Sequence, residues 1–486
     1  AERQRGFDVQ RGPLLRARFF RRGDGSAVMS WCFHHLLMDG WCMGVLLREL
    51  FALAQIGADA ASCSLGLPEP FPLEVYSRWR AQFDERAARA YWADLLHDFG
   101  GLTGVALPQS KAASAAARGN TAETKFTEPQ TLELELDESL TASLQKLATA
   151  EAVTLSALVQ ALWAIVLGGV NNGSRDVVFG VVTSGRPAEI EGIETAVGLF
   201  IQTLPLRARW QDNEPLGALL AYVKEQNLQQ MRHGYVPLAS MGRNLLDHLM
   251  VFENYPVDTR FDDGRVELCD MRGFEKIPYA LGISVIPGVN LSFRFLYDPE
   301  RLPKERAQVL RDGLHAVLAA AANGDGRTCL ALEQAANNAK AGAENPGTER
   351  TGAENAPDDV AKPAVQAAAP QGADVAALAE TVRAVYASVL GCTVNSVDAD
   401  FFQLGGHSLI AMSLLSQLSK SLSVAVGIED VMGYPSPRAL AARIAGLTTP
   451  EAVIPRIQGR ATYPLSPAQQ RIWFMQKLHE GGQVYV

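Results

Sequence analysis

The sequence predicts an α+β layered architecture for residues 1–323 and a small all-helical unit near the C-terminal end. The first expectation rests on the alternation of element types. Runs at 14–20, 27–33, 131–137, 177–183, 203–209, 248–252, 280–286 and 291–297 are rich in β-branched, aromatic or alternating apolar residues and read as strands. Helical patterns lie between them near 41–55, 76–98, 139–149, 153–168, 215–232 and 303–321. The order is neither strict strand–helix alternation nor all-strand, which favours layered α+β. The second expectation rests on composition. From 324 to 371 Ala, Asn, Glu, Gly and Pro dominate, and no Phe, Trp or Tyr occurs between Asp298 and Val385. Such a segment buries too little to offset its chain entropy, so 324–373 reads as a flexible linker. Helical patterns then resume at 375–390, 408–422 and 436–445, giving a unit of about seventy residues over 374–446.

A length of 486 residues suits about two to four domains. Charged residues are 20% and hydrophobic ones 48%, and 53 acidic against 44 basic side chains leave a net charge of −9, so no nucleic-acid partner is expected. The six cysteines form no CxxC pair, which points to neither a zinc ribbon nor a disulfide framework and fits a reducing, cytoplasmic setting. Residues 152–174 carry no charge and approach the length of a membrane span. Thr154 and Ser156 at the start, Gln160 inside and Gly168-Gly169 at the end suit instead a helix buried in a large domain, and no membrane is expected. The first residues have no apolar stretch of the signal-peptide kind and read as the interior of a longer protein.

Two motifs carry chemistry. His34-His35-Leu-Leu-Met-Asp39-Gly40 follows the strand pattern at 27–33. Alternation sends the two imidazoles to opposite sides, one toward a cleft and one inward, while Asp39 can hold the turn through an Arg or a backbone donor. Gly40 removes a side chain beside that cleft. A cleft-facing histidine titrates near neutrality and can orient an attacking amine or take its proton. An isolated His-His pair is more commonly a core or surface feature, and no further His or Cys cluster supports a metal. The second motif, Asp400-Phe-Phe-Gln-Leu-Gly405-Gly406-His407-Ser408-Leu, ends a loop and opens a helix. There the macrodipole and free N–H groups favour a phosphate diester on the Ser408 hydroxyl. N-capping alone would account for Ser408 but not for the two glycines or the two phenylalanines.

The second motif, inside a seventy-residue helical unit, resembles the peptidyl carrier proteins of nonribosomal peptide synthetases. The resemblance implies a four-helix bundle in which Ser408 carries 4′-phosphopantetheine, whose thiol holds an aminoacyl or peptidyl group as a thioester. The first motif with Trp41 resembles the active-site motif of the condensation domains that join such thioesters. Tyr91-Trp92, Asp176 to Gly180, Ser184-Gly185-Arg186-Pro187, Val197 to Pro205 and Leu249 to Pro256 also resemble that family, in its order. The implied fold is that of the chloramphenicol acetyltransferase-like acyltransferases, two lobes in a V with the histidine motif midway along a tunnel.

The resemblance implies amide formation between two carrier-bound acyl groups, with His35 facing the cleft, His34 supporting it from within and Asp39 fixing the loop, with Arg186 as a candidate partner. It implies donor and acceptor carriers, a phosphopantetheinyl transferase and neighbouring synthetase domains such as adenylation as partners, and no metal. An epimerisation domain shares the double histidine, and a non-catalytic docking module would share the lobes. Gly40-Trp41 favours condensation over the first, and the intact histidine motif argues against the second. Residues 459–486, with Tyr463-Pro-Leu-Ser-Pro-Ala-Gln469, resemble the opening of a condensation domain. Two arrangements stay open: the opening of a further domain, or the front of the same domain as 1–323, whose own front is expected to be missing.

Overall fold

The computed structural model describes residues 6–9, 11–56, 69–100, 103–105, 128–187, 189–237, 241, 246–253, 260–261, 266–267, 279–324, 328–344, 373–390, 394–401, 411, 414–415, 417–418, 421–422, 426, 428–445 and 469. They fall into two compact units, 1–336 with 456–486, and 337–455.

In the first unit, strands β1 (Leu15–Arg21) and β2 (Ala27–Phe33) form an antiparallel hairpin. Its turn is closed by Asp24, whose carboxylate accepts from the Ser26 N–H and hydroxyl. Helix α1 (Cys42–Ile56) follows. The pattern at 76–98 is two helices rather than one, α2 (Leu73–Gln82) and α3 (Glu85–Leu96), because Asp84 caps the second by accepting from the Ala87 N–H at 2.9 Å.

Among the described residues the main sheet has six strands: β3 (Gln130–Glu135), β4 (Asp176–Thr183), β5 (Gln202–Arg209), β6 (His248–Phe252), β9 (Leu281–Ile286) and β10 (Ser292–Tyr297). The short strands β7 (Arg260–Phe261) and β8 (Val266–Glu267) pair separately. The spatial order is β3-β10-β9-β6-β4-β5, with β6 parallel to both β4 and β9 and all other pairs antiparallel. Residues 177–181 of β4 are all buried, as a central strand covered on both faces requires. Helices α4 (Glu138–Ala150), α5 (Leu155–Val170), α6 (Leu216–His233) and α7 (Lys304–Asn323) supply apolar faces to the same core. Thr154 caps α5, and every residue from Ala157 to Gly168 is buried, so the chargeless run is a core helix. Among the described residues no single helix is long and apolar enough to cross a membrane.

The expected linker is corrected at its start. Helix α8 (Cys329–Glu344) occupies it, with Cys329, Leu332 and Ala336 at helical spacing inside the core. Three small or aliphatic side chains anchor this helix, and the Ala- and Asn-rich composition hides them.

In the second unit, α9 (Ala373–Leu390), α10 (Ile428–Gly433) and α11 (Pro437–Ile444) are described. The fully buried Phe401 meets Tyr386 edge-on at 5.2 Å and donates its N–H to Pro435 O. Arg438 grips Asp398 with two hydrogen bonds of 2.7 and 3.0 Å. The pattern at 408–422 is described only at isolated positions, of which Ala411, Leu414, Leu415 and Leu418 are buried.

At the edge of the first unit's core, the fully buried His248 accepts a hydrogen bond from the Trp163 indole N–H at 3.1 Å and stacks on Phe179. Burial pulls its pKa down to about 4, against the opposing pull of Asp247. In the unfolded chain it returns to about 6.5. Between those values the unfolded state binds more protons, so acidification from pH 6.5 to 4 should remove up to about 3 kcal/mol of stability. Urea unfolding at several pH values checks this: His248→Phe should flatten the slope in that window, and an unchanged slope would assign the acid sensitivity to another group.

Candidate active site

The histidine motif lies between the end of β2 and the start of α1. His34 N–H extends the hairpin ladder by donating to Leu14 O at 2.9 Å, and the chain then turns. His34 is completely buried, while His35 is half-buried. The two faces expected from strand alternation are thus produced one step later, by the turn.

The hydrogen bonds also set the tautomers. His34 Nδ1 accepts from the Leu36 N–H at 3.1 Å, which leaves its proton on Nε2. His35 Nδ1 lies 3.3 Å from the Met38 carbonyl, which can only accept, so Nδ1 carries a proton and, in the neutral ring, Nε2 the lone pair. As neutral rings, the neighbouring imidazoles would hold opposite tautomers.

Asp39 is fully buried and accepts from three strong donors: Arg186 Nη2 at 3.2 Å, the Phe200 N–H at 2.9 Å and the Ile201 N–H at 3.2 Å. Arg186 is buried too, and its Nη1 donates to the Ile193 and Ala196 carbonyls, both at 3.1 Å. Its guanidinium lies over the Phe200 ring at 4.2 Å. This approach needs Gly185, whose φ is +60° and whose added Cβ would sit 1.8 Å from the Phe200 carbonyl oxygen. Gly40 stands at the turn, its carbonyl accepting from the Met43 N–H, and Trp41 is anchored by its indole N–H to Glu194 O at 2.8 Å. The histidine turn is thereby tied to residues 186–201.

Sequence reasoning named Asp39 and Arg186 but missed the backbone donors of Phe200 and Ile201 and the Cys42 thiol. The signals were the Val197 to Pro205 stretch, which contains Phe200 and Ile201, and Cys42 standing three residues after Asp39. Ser408, with Gly405, Gly406 and His407, lies outside the described residues. Gln469 is described, and its side-chain amide donates to the Leu36 carbonyl at 3.5 Å, beside the histidines. Among the described residues no group of three His, Cys, Asp or Glu side chains is placed to hold a metal ion.

Residues 1–331 match the condensation domain family. The chain belongs to that family. Residues 380–444 match the family described as the phosphopantetheine attachment site, which makes 4′-phosphopantetheine the cofactor of the helical unit. Surfactin synthase subunit 3 of Bacillus subtilis (strain 168) is 33% identical over 303 residues, covering 60% of this chain and 23% of the relative. Gramicidin S synthase 2 of Brevibacillus brevis is 34% identical over 304 residues, covering 60% of this chain and 6% of the relative. The chain thus spans less than a quarter of either relative. Two solved structures share the fold. The X-domain from teicoplanin biosynthesis has a TM-score of 0.52 at 19% identity, over 67% of this chain and 76% of that one. A four-domain nonribosomal peptide synthetase bound to AMP and glycine has a TM-score of 0.52 at 17% identity, over 67% and 26%. The condensation-domain fold expected for the first unit is the one observed, with helices packed on a mixed six-stranded sheet.

Proposed function

We propose that the condensation domain forms an amide bond between two carrier-bound acyl groups. The observation that supports this is the half-buried His35 ring with Nδ1 3.3 Å from Met38 O, a contact that in the neutral imidazole leaves the lone pair on Nε2. The acceptor's amine nitrogen attacks the donor's thioester carbonyl; the C–N bond forms, the C–S bond breaks, and the departing thiolate becomes a thiol by taking up the proton that the nitrogen gives to His35. His35 Nε2 orients the amine and receives the proton that the nitrogen must lose. His34 supports the turn from inside, and Asp39 holds it against residues 186–201. The thioester supplies the driving force, so the domain's main task is to hold two tethered substrates in line.

Ser408 is the proposed attachment point in the helical unit. A serine hydroxyl can form the phosphodiester, and the frame leading toward it is fixed by Phe401 against Tyr386 and by the Asp398–Arg438 pair. When bound, the group supplies the thiol that carries the acyl chain. The reading includes donor and acceptor carriers, a phosphopantetheinyl transferase and adenylation domains as partners.

Intact-mass spectrometry after treatment with a transferase and coenzyme A tests the carrier assignment. One phosphopantetheine mass should appear on the wild type and none on Ser408→Ala; stoichiometric modification of the variant defeats the assignment. Condensation itself is read from a donor-loaded and an acceptor-loaded carrier, as appearance of the joined product on the acceptor.

A further inference from the structure

We propose that Cys42 is a positioning residue of this site, its thiol joining the histidine turn to residues 196–198. The inference deepens the condensation reading and rests on it for its kinetic consequence. Cys42 is completely buried in the first turn of α1. Its Sγ lies 3.3 Å from Asp39 Oδ1 and 3.2 Å from Gly198 O, both within reach of its single S–H. The same sulfur accepts from the Gly198 N–H at 3.4 Å and lies 3.6 Å from Arg186 Nη2. One atom therefore touches both members of the buried ion pair and both backbone polar groups of Gly198.

An apolar side chain here would make none of these polar contacts and would leave the part-buried Gly198 N–H without this acceptor. Burial and the Asp39 carboxylate both push the thiol pKa up, so it remains protonated and able to donate. Cys42 is far from a nucleophile in that state. Its effect on the reaction runs through Asp39: the carboxylate orients the turn, and the turn carries His35. Small displacements of a group that positions a reacting amine are costly, with a 1 Å error worth about 100-fold.

The test uses the full chain with Cys42→Ser and Cys42→Val, two readouts being taken below the melting temperature of all three proteins. Hydroxyl replaces thiol in the first variant and keeps donor and acceptor; methyl groups fill the space in the second. Hydrogen–deuterium exchange in peptides covering 34–41 and 196–201 should speed by about tenfold in Cys42→Val and stay near wild type in Cys42→Ser. In the condensation assay Cys42→Val should lower kcat by about 10- to 100-fold with the acceptor KM little changed, and Cys42→Ser should restore most of it. Wild-type exchange in Cys42→Val overturns the proposal, as does an equal loss of kcat in both variants. If Cys42→Val does not fold, Cys42→Ala carries the same comparison. If the wild type itself joins no acyl groups, the condensation reading fails, and the exchange data still decide the role of Cys42.

Discussion

Asp39→Ala is expected to destabilise the condensation unit by about 3–5 kcal/mol, the range for removing one partner of a buried ion pair. The substitution strands the Arg186 guanidinium in the interior and takes the acceptor away from the Phe200 and Ile201 N–H groups at once. Denaturant unfolding followed by tryptophan fluorescence measures it, because Trp41 lies beside the pair, 5.4 Å from Arg186 by ring centroid. Asp24→Ala in the exposed hairpin turn is the control. Its carboxylate is held below the usual range by Ser26, yet it stands in solvent and should change stability little. A loss under about 1 kcal/mol for Asp39→Ala would mean that the turn is held by something other than this carboxylate.

His35→Ala should lower the rate of amide formation by about 100- to 10,000-fold, the usual range for losing a group that moves a proton, while the melting temperature stays close to wild type. His34→Ala should do the reverse in order of severity. That ring is fully buried and accepts from the Leu36 N–H, so its removal opens a cavity and orphans a donor, and soluble yield falls first. Rates and melting curves for the two variants together separate the roles. If His34→Ala melts normally and is inactive while His35→Ala turns over, the faces are assigned backwards.

Much of this was legible along the chain because it is local. The strands at 27–33 and 248–252 read correctly at both ends from their β-branched, aromatic and apolar side chains, and the chargeless 152–174 run announced a core helix that the structure buries from Ala157 to Gly168. Helix α8 was hidden because its anchors, Cys329, Leu332 and Ala336, sit in a composition that otherwise resembles a linker. The spatial grouping of the candidate site was legible where a motif places its members within a few residues, as at His34, His35, Asp39 and Gly40. The other half is donated by backbone N–H groups, which no side-chain pattern announces. Phe200 and Ile201 contribute position rather than chemistry, and Arg207, locked to Asp176, Asp98 and Leu95 O, shows equally well that a basic residue in a strand gives no sign of being buried. Residue type says what a group can do; only the fold says which distant backbone it meets.

The partners of Asp39 come late in the chain: Arg186 follows it by 147 residues and Phe200 by 161. During synthesis at roughly 5–20 residues per second, the aspartate would leave the peptidyl-transfer centre about 10–30 s before Phe200 is made. Through that interval the histidine turn has no ion-pair partner to bury against, and closing a loop of that length costs entropy before any contact repays it. The turn is thus a late-setting joint. A nascent chain stalled before residue 186 would present His34, Trp41 and Cys42 to solvent and to chaperones, so the speed of translation between those positions bears directly on how much of this protein reaches its native state.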